Sequence, residues 1–227
     1  MKAYASLWSA DLMALGEAVD AVDALVDGYH MDIMDGVCVP DLLFGLDFIA
    51  ALRRRTKKTL DVHLMLTNTD AWVDRYAEAG SNLLTVHQQF CHKVSITLQE
   101  IRSRGVHAGL VVELGDPLSV EDLHLDIVDR LLVMGTEIGV KGKGLHPNIA
   151  QRIGTILDLC GQAGRRPEIV VDGGIRRETV PLLAKSGADG VVPGSLVFGE
   201  PDPCAALNWI HAQRGKCRNL SSLNLFI

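Results

Sequence analysis

Short apolar runs alternate with longer segments in which apolar residues recur every three or four positions, and the alternation continues along almost the whole chain. The short runs predict strands over Ala3–Leu7, Tyr29–Ile33, Thr59–Met65, Asn82–His87, His107–Glu113, Arg130–Met134, Glu168–Asp172 and Gly190–Pro193. Helical spacing is predicted between them over Asp11–Val26, Asp47–Arg55, Asp70–Ala79, Val94–Arg104, Asn148–Cys160, Arg177–Lys185 and Asp202–Gln213. The first helix is the clearest: Leu12, Leu15, Val19, Val22 and Val26 share one face, with Asp11 in the N-cap place. Gly115–Leu125 is the weakest element. Gly28, Gly80, Gly105, Gly161 and Gly187 follow closely on last apolar turns, where a left-handed C-cap is expected.

Strand–helix alternation permits an open doubly wound sheet or a closed barrel. Two loop signals tip the balance. Gly173-Gly174 follows the predicted seventh strand and Gly194-Ser195 the eighth, and those two loops commonly form the phosphate site of a barrel. The expected fold is therefore α/β, a single (β/α)8 TIM barrel over residues 1–214, followed by a tail over 215–227. The tail ends Asn224-Leu225-Phe226-Ile227, apolar enough to dock on the barrel or on a second subunit, so a homo-oligomer is expected. With 48% hydrophobic but only 5% aromatic residues, aliphatic side chains must fill the core. A net charge of −6 argues against a nucleic-acid surface. Five scattered cysteines without a C-x-x-C pair, no leader before the first strand and no apolar run long enough to span a bilayer suggest a cytoplasmic protein away from membranes.

The chemistry begins at Tyr29-His30-Met31-Asp32-Ile33-Met34-Asp35-Gly36. Alternate strand residues share a face, so His30, Asp32 and Met34 point one way. Burying an imidazole and a carboxylate is costly without partners, and either a hydrogen-bonded pair or a metal ion would supply them. Asp61-Val62-His63-Leu64-Met65 repeats the arrangement, which favours the metal, with Asp61 expected to hold the His63 ring. Asp172, in Val171-Asp172-Gly173-Gly174, closes a strand where barrel enzymes keep catalytic groups, although Asp-Gly-Gly is also ordinary turn chemistry.

Taken together, Ser6-Leu7-Trp8-Ser9-Ala10-Asp11, His30 to Gly36, Val39-Pro40, Leu60 to Met65, Thr85-Val86-His87, Val171 to Gly174 and Gly194-Ser195 resemble the ribulose-phosphate 3-epimerase family in order and spacing, from about residue 3 to about residue 203. Allulose-6-phosphate epimerase-like members belong to the same group. The resemblance implies one divalent metal on His30, Asp32, His63 and Asp172, with Asp32 and Asp172 also carrying protons. It implies substrate contacts from Ser6, Met34, His63, Met65 and Met134, and phosphate contacts from Gly139, Gly142, Gly173, Gly174, Gly194 and Ser195. The implied reaction inverts C3 of a phosphorylated ketose of the ribulose 5-phosphate/xylulose 5-phosphate type, in keeping with a chemistry that needs two acid/base groups and charge neutralisation at an enediolate. Two imidazoles and two carboxylates suit Zn, Mn, Fe or Co without choosing among them.

The loop after the sixth strand departs from the family pattern. It reads Gly135-Thr136-Glu137-Ile138-Gly139-Val140-Lys141-Gly142-Lys143-Gly144, with Ile138 for a proline and Lys141 for an inner glycine. Lys141 and Lys143 either add charge at the phosphate or belong to a solvated lid. Val37-Cys38 and Asp41 also differ. A hexulose or tetrulose phosphate is thus an alternative substrate. A barrel lyase or decarboxylase would bring lysine to the strand ends, and a non-catalytic binder would not need the four ligands. His87 is a candidate pocket residue; His107, His124 and His146 read as surface or structural.

Overall fold

The computed structural model describes residues 1–213, so the predicted tail lies outside the described residues. The elements are β1 (Lys2–Ser6), α1 (Leu15–Val22), β2 (Gly28–Asp35), β3 (Leu42–Leu43), α2 (Leu46–Arg55), β4 (Thr59–Met65), α3 (Val73–Glu78), β5 (Leu83–Val86), α4 (Val94–Ser103), β6 (His107–Val112), β7 (Arg130–Met134), α5 (Ile149–Ala163), β8 (Glu168–Asp172), α6 (Val180–Ser186), β9 (Gly190–Val192), α7 (Ser195–Phe198) and α8 (Pro203–Ala212). All eight predicted strands form. β1 pairs in parallel with both β2 and β9, so the parallel sheet closes on itself into the expected barrel. The two-residue β3 is an antiparallel addition at the end of β2.

Each strand is read twice by its surroundings. Outward residues such as Met31, Ile33, Val62, Leu64, Leu131, Val133, Ile169 and Val171 are buried in the core beneath the helices. Inward residues Tyr4, Val111, Leu132, Met134, Val170 and Val192 pack as a second cluster inside the ring.

Helix boundaries differ from prediction; α3 begins at Val73 after a 3-10 turn and α6 at Val180. Asp11 accepts the Met13 amide in a tight turn, and α1 starts only at Leu15. Gly28 lies within β2, while Gly161 lies inside α5, which runs on to the left-handed Gly164. Gly80, Gly105 and Gly187 take the positive φ expected of them. No helix forms between β6 and β7, where Gly115–Leu125 had the weakest pattern. Cys38, Cys91, Cys160 and Cys204 are free thiols.

Below the apolar interior sits an ionic group. Arg130, on β7, donates to Asp61 at 2.7 Å and to Glu168 at 2.6 Å. Its guanidinium stacks 3.9 Å over the Tyr4 ring, and Lys2 reaches Glu168 at 3.0 Å from the barrel floor. Burial is the largest influence and would raise the pKa values of Asp61 and Glu168. Arg130, acting together with His30 at Asp61 and with Lys2 at Glu168, more than offsets it, and both lie below the usual carboxylate range.

Deleting one partner of such a group strands the other charge in a dry interior. Arg130→Met should therefore lower the unfolding free energy by ~3–5 kcal/mol in urea titrations. Because the folded pKa of Glu168 is depressed, its contribution is complete above about pH 4.3 and fades as pH falls through the folded value. Stability curves of Glu168→Gln should accordingly be flatter than the parent's between about pH 5 and 3.

Candidate active site

Strand register builds the site. β2 and β4 run in parallel with His30 beside Asp61, Asp32 beside His63 and Met34 beside Met65. Asp172 ends β8 next to Met134 and Val192. His30 Nε2 lies 3.2 Å from Asp32 Oδ1 and 3.7 Å from Asp172 Oδ2, and His63 Nδ1 lies 3.1 Å from Asp32 Oδ1. One ligand atom from each of His30, Asp32, His63 and Asp172 falls within 4.8 Å of every other. The four predicted residues come together.

Their electrostatics fit a cation. Burial works against charge on Asp32, but His30 and His63 outweigh it and hold the carboxyl well below its ordinary range. His30 is raised: burial opposes its charge, and Asp32 and Asp61 prevail. Asp172 is pushed up to about 7 by burial, then by the negative charges of Asp32 and Asp61 against the pull of His30. Two neighbouring carboxylates thus compete for the positive charge around them. A divalent ion held by these two carboxylates and two imidazoles satisfies all four groups, and the donor set is of the type such ions take.

The partners behind the imidazoles differ from expectation. Asp61 orients His30, not His63: its Oδ2 lies 2.8 Å from His30 Nδ1, because the register sets those two side by side. His63 instead meets His87 through their Nε2 atoms at 2.7 Å. His87 Nδ1 in turn lies 2.6 Å from Glu113 Oε1, which also accepts from the Gln89 amide. His87 is fully buried behind His63 and does not line the cavity. Its pKa is lowered to about 4, chiefly by that burial. Alternation along the chain carries the signal for both residues: His87 is two beyond the buried Thr85, and Glu113 two beyond the inward Val111.

A cavity of about 400 Å³ opens above the cluster. Ser6, Asp32, His63, Met65, Met134, Gly139, Gly142, Asp172, Gly173, Gly174, Gly194 and Ser195 line it. His30 stands behind the wall, and Met34 packs with Val39 and Met65 without lining the cavity. Gly173 (φ 91°) and Gly174 (φ 69°) occupy the left-handed region. A Cβ on Gly174 would fall 2.5 Å from the Leu145 backbone nitrogen.

Lys141 extends from the loop after β7 into the cavity wall, donates to the Trp8 carbonyl and sits 4.5 Å over the Trp8 ring. Lys143 pairs with Glu137 at 2.6 Å. Arg176, which sequence reading passed over, also lines the cavity and clasps the Gly142 carbonyl at 2.9 Å. Val37, Cys38 and Asp41 lie outside the wall.

The profile of the ribulose-phosphate 3-epimerase family matches residues 2–198. The chain belongs to this family. The ribulose-phosphate 3-epimerase of Synechocystis is 36% identical over 207 residues, covering 89% of each chain. That of Rhodobacter capsulatus is 38% identical over 200 residues, covering 87% of this chain and 86% of the relative. The Bacillus subtilis enzyme is 33% identical, covering 94% of this chain and all of its own. Among solved structures, 3-hexulose-6-phosphate synthase from Salmonella typhimurium superposes with a TM-score of 0.67 at 22% identity, over 92% of this chain and 96% of the synthase, a likeness of fold. This family member is an isomerase of the epimerase class, in a metal-dependent family, with a His/Asp cluster able to bind an ion.

Gly174→Ala should cost ~1–3 kcal/mol, since a side chain would strain the positive φ and meet backbone. Gly161→Ala, with open space around it inside α5, should instead stabilise by ~0.5–1 kcal/mol. Thermal melts of the two variants should move in opposite directions.

Proposed function

We propose that this protein inverts C3 of a phosphorylated ketose, ribulose 5-phosphate and xylulose 5-phosphate in type, with Asp32 and Asp172 exchanging protons with the two faces of that carbon. The observation that carries this reading is the meeting of two carboxylates and two imidazoles from three strands at the wall of a cavity whose other side is lined by glycine backbone. β2 and β8 are three positions apart around the ring, so the two aspartates approach a substrate from different directions. One carboxylate takes the proton on C3, leaving an enediolate, and the other returns a proton to the opposite face.

His30, Asp32, His63 and Asp172 are the proposed ligands of a divalent ion, Zn, Mn, Fe or Co. Bound there, it would supply Lewis-acid polarisation of the substrate's oxygens and neutralise the charge that develops on them. Ser6, Met65 and Met134 are proposed to shape the space around the sugar, with Met34 supporting Met65 from behind. Backbone at Gly139, Gly142, Gly173, Gly174, Gly194 and Ser195 is proposed to receive the phosphate.

Lys141 and Arg176 bring side-chain charge to the cavity wall, where Lys143 and Glu137 also stand as an ion pair. Burial lowers the Lys141 pKa, with Asp32 and Asp41 acting the other way. That added charge favours a second reading, in which the substrate is a hexulose or tetrulose phosphate whose phosphate sits at a different reach. A lyase or decarboxylase is disfavoured: among the described residues, Lys2 on the barrel floor is the one strand lysine.

A homo-oligomer is also proposed, supported by exposed Leu12, Met13, Val37 and Leu42, and sedimentation would test it. No helix among the described residues is long and apolar enough to cross a membrane; a cytoplasmic location remains a proposal supported by the free thiols.

Purified protein incubated in D₂O with ribulose 5-phosphate should give xylulose 5-phosphate carrying deuterium at C3 by NMR. Turnover of only hexulose or tetrulose phosphates would transfer the assignment to them, and no exchange with any would sink it. Asp172→Asn should cut kcat by at least ~10²–10⁴-fold with the fold retained by circular dichroism. Lys141→Ala should raise KM more than it lowers kcat, as expected where binding energy is lost equally from ground and transition states.

A further inference from the structure

Building on the metal reading above, we propose that His87 and Glu113 are positioning residues that fix the tautomer of His63, turning its bare Nδ1 toward the carboxylate cluster. Four groups stand in a row: Asp32, His63, His87 and Glu113, with successive contacts of 3.1, 2.7 and 2.6 Å. Two ring nitrogens at 2.7 Å can share only one proton between them.

The outer end of the row decides which ring owns it. Glu113 Oε1 receives both His87 Nδ1 and the Gln89 side-chain amide, so the carboxylate acts as an acceptor and His87 carries its hydrogen on Nδ1. A neutral imidazole has one N–H, which leaves His87 Nε2 bare. His63 must then donate from Nε2, and in its neutral form, the form that can ligate an ion, its Nδ1 is a lone pair 3.1 Å from Asp32 Oδ1. Two acceptors facing each other at that distance repel unless a cation lies against both. The opposite assignment puts an imidazolium on His87, a ring with no solvent exposure, and caps His63 Nδ1 with a proton where a ligand lone pair is needed.

The two imidazoles of the cluster are thus served differently. His30 rests directly on the carboxylate of Asp61, anchored by Arg130. His63 reaches a carboxylate only through a second ring. Glu113 keeps 26% side-chain exposure, so the far end of this row opens toward solvent whereas Asp61 has none.

Long-range ¹H–¹⁵N correlation on ¹⁵N-histidine, zinc-loaded protein tests the assignment directly. His63 should show its proton on Nε2 and His87 on Nδ1; the reverse pattern on either ring overturns the proposal. Zinc affinity measured by chelator competition should fall ~10–100-fold in Glu113→Leu, with the circular dichroism spectrum unchanged. A variant that holds zinc as tightly as the parent overturns it, and one that fails to fold leaves the parent spectrum to decide. If the parent itself binds no zinc, the metal reading falls first and this inference with it.

Discussion

Two carboxylates set side by side under a barrel mouth repel, and the structure is arranged around the positive charge needed to hold them there. His30 touches Asp32, approaches Asp172 and leans on Asp61. Arg130 stands below Asp61 and keeps that buried charge tolerable. The ordering of charge from floor to mouth leaves Asp172, the most exposed of the cluster, short of a partner. That shortage is the physical case for a bound ion, independent of the family to which the chain belongs.

Most of this was legible because strands have a period of two. His30 and Asp32, and Asp61 and His63, each lie two apart, and closing the ring in parallel register converts two one-dimensional pairs into one cluster. Asp172 was legible from its place before paired glycines. What sequence could not supply was register: without knowing that His30 sits beside Asp61, the carboxylate looks as though it belongs to its own strand neighbour, His63. The same gap hid the pairing of His87, named only as a candidate pocket residue, with Glu113 26 residues on. Asp11 misled because a short acidic residue before an apolar helix caps a turn as readily as a helix.

The loop after β7 becomes interpretable only through coordinates. Lys141 lies along Trp8, so a residue from the end of β1 and one from the loop after β7 meet across the mouth. Arg176 clasps the same loop from the other side. By contrast Val37, Cys38 and Asp41 do not line the cavity. Substitutions of similar apparent weight along the chain therefore bear unequally on what the cavity accepts.

Barrel enzymes are commonly thought of as divisible, with one end free to change chemistry while the other keeps the molecule folded. Here Lys2, Glu168, Arg130 and Asp61 form an alternating column that starts at the base and ends against an imidazole of the catalytic end. Engineering the base of this molecule for robustness is consequently not a neutral act: an exchange at Arg130 would reach Asp61 and, through it, the His30 ring, so the two halves are not independent.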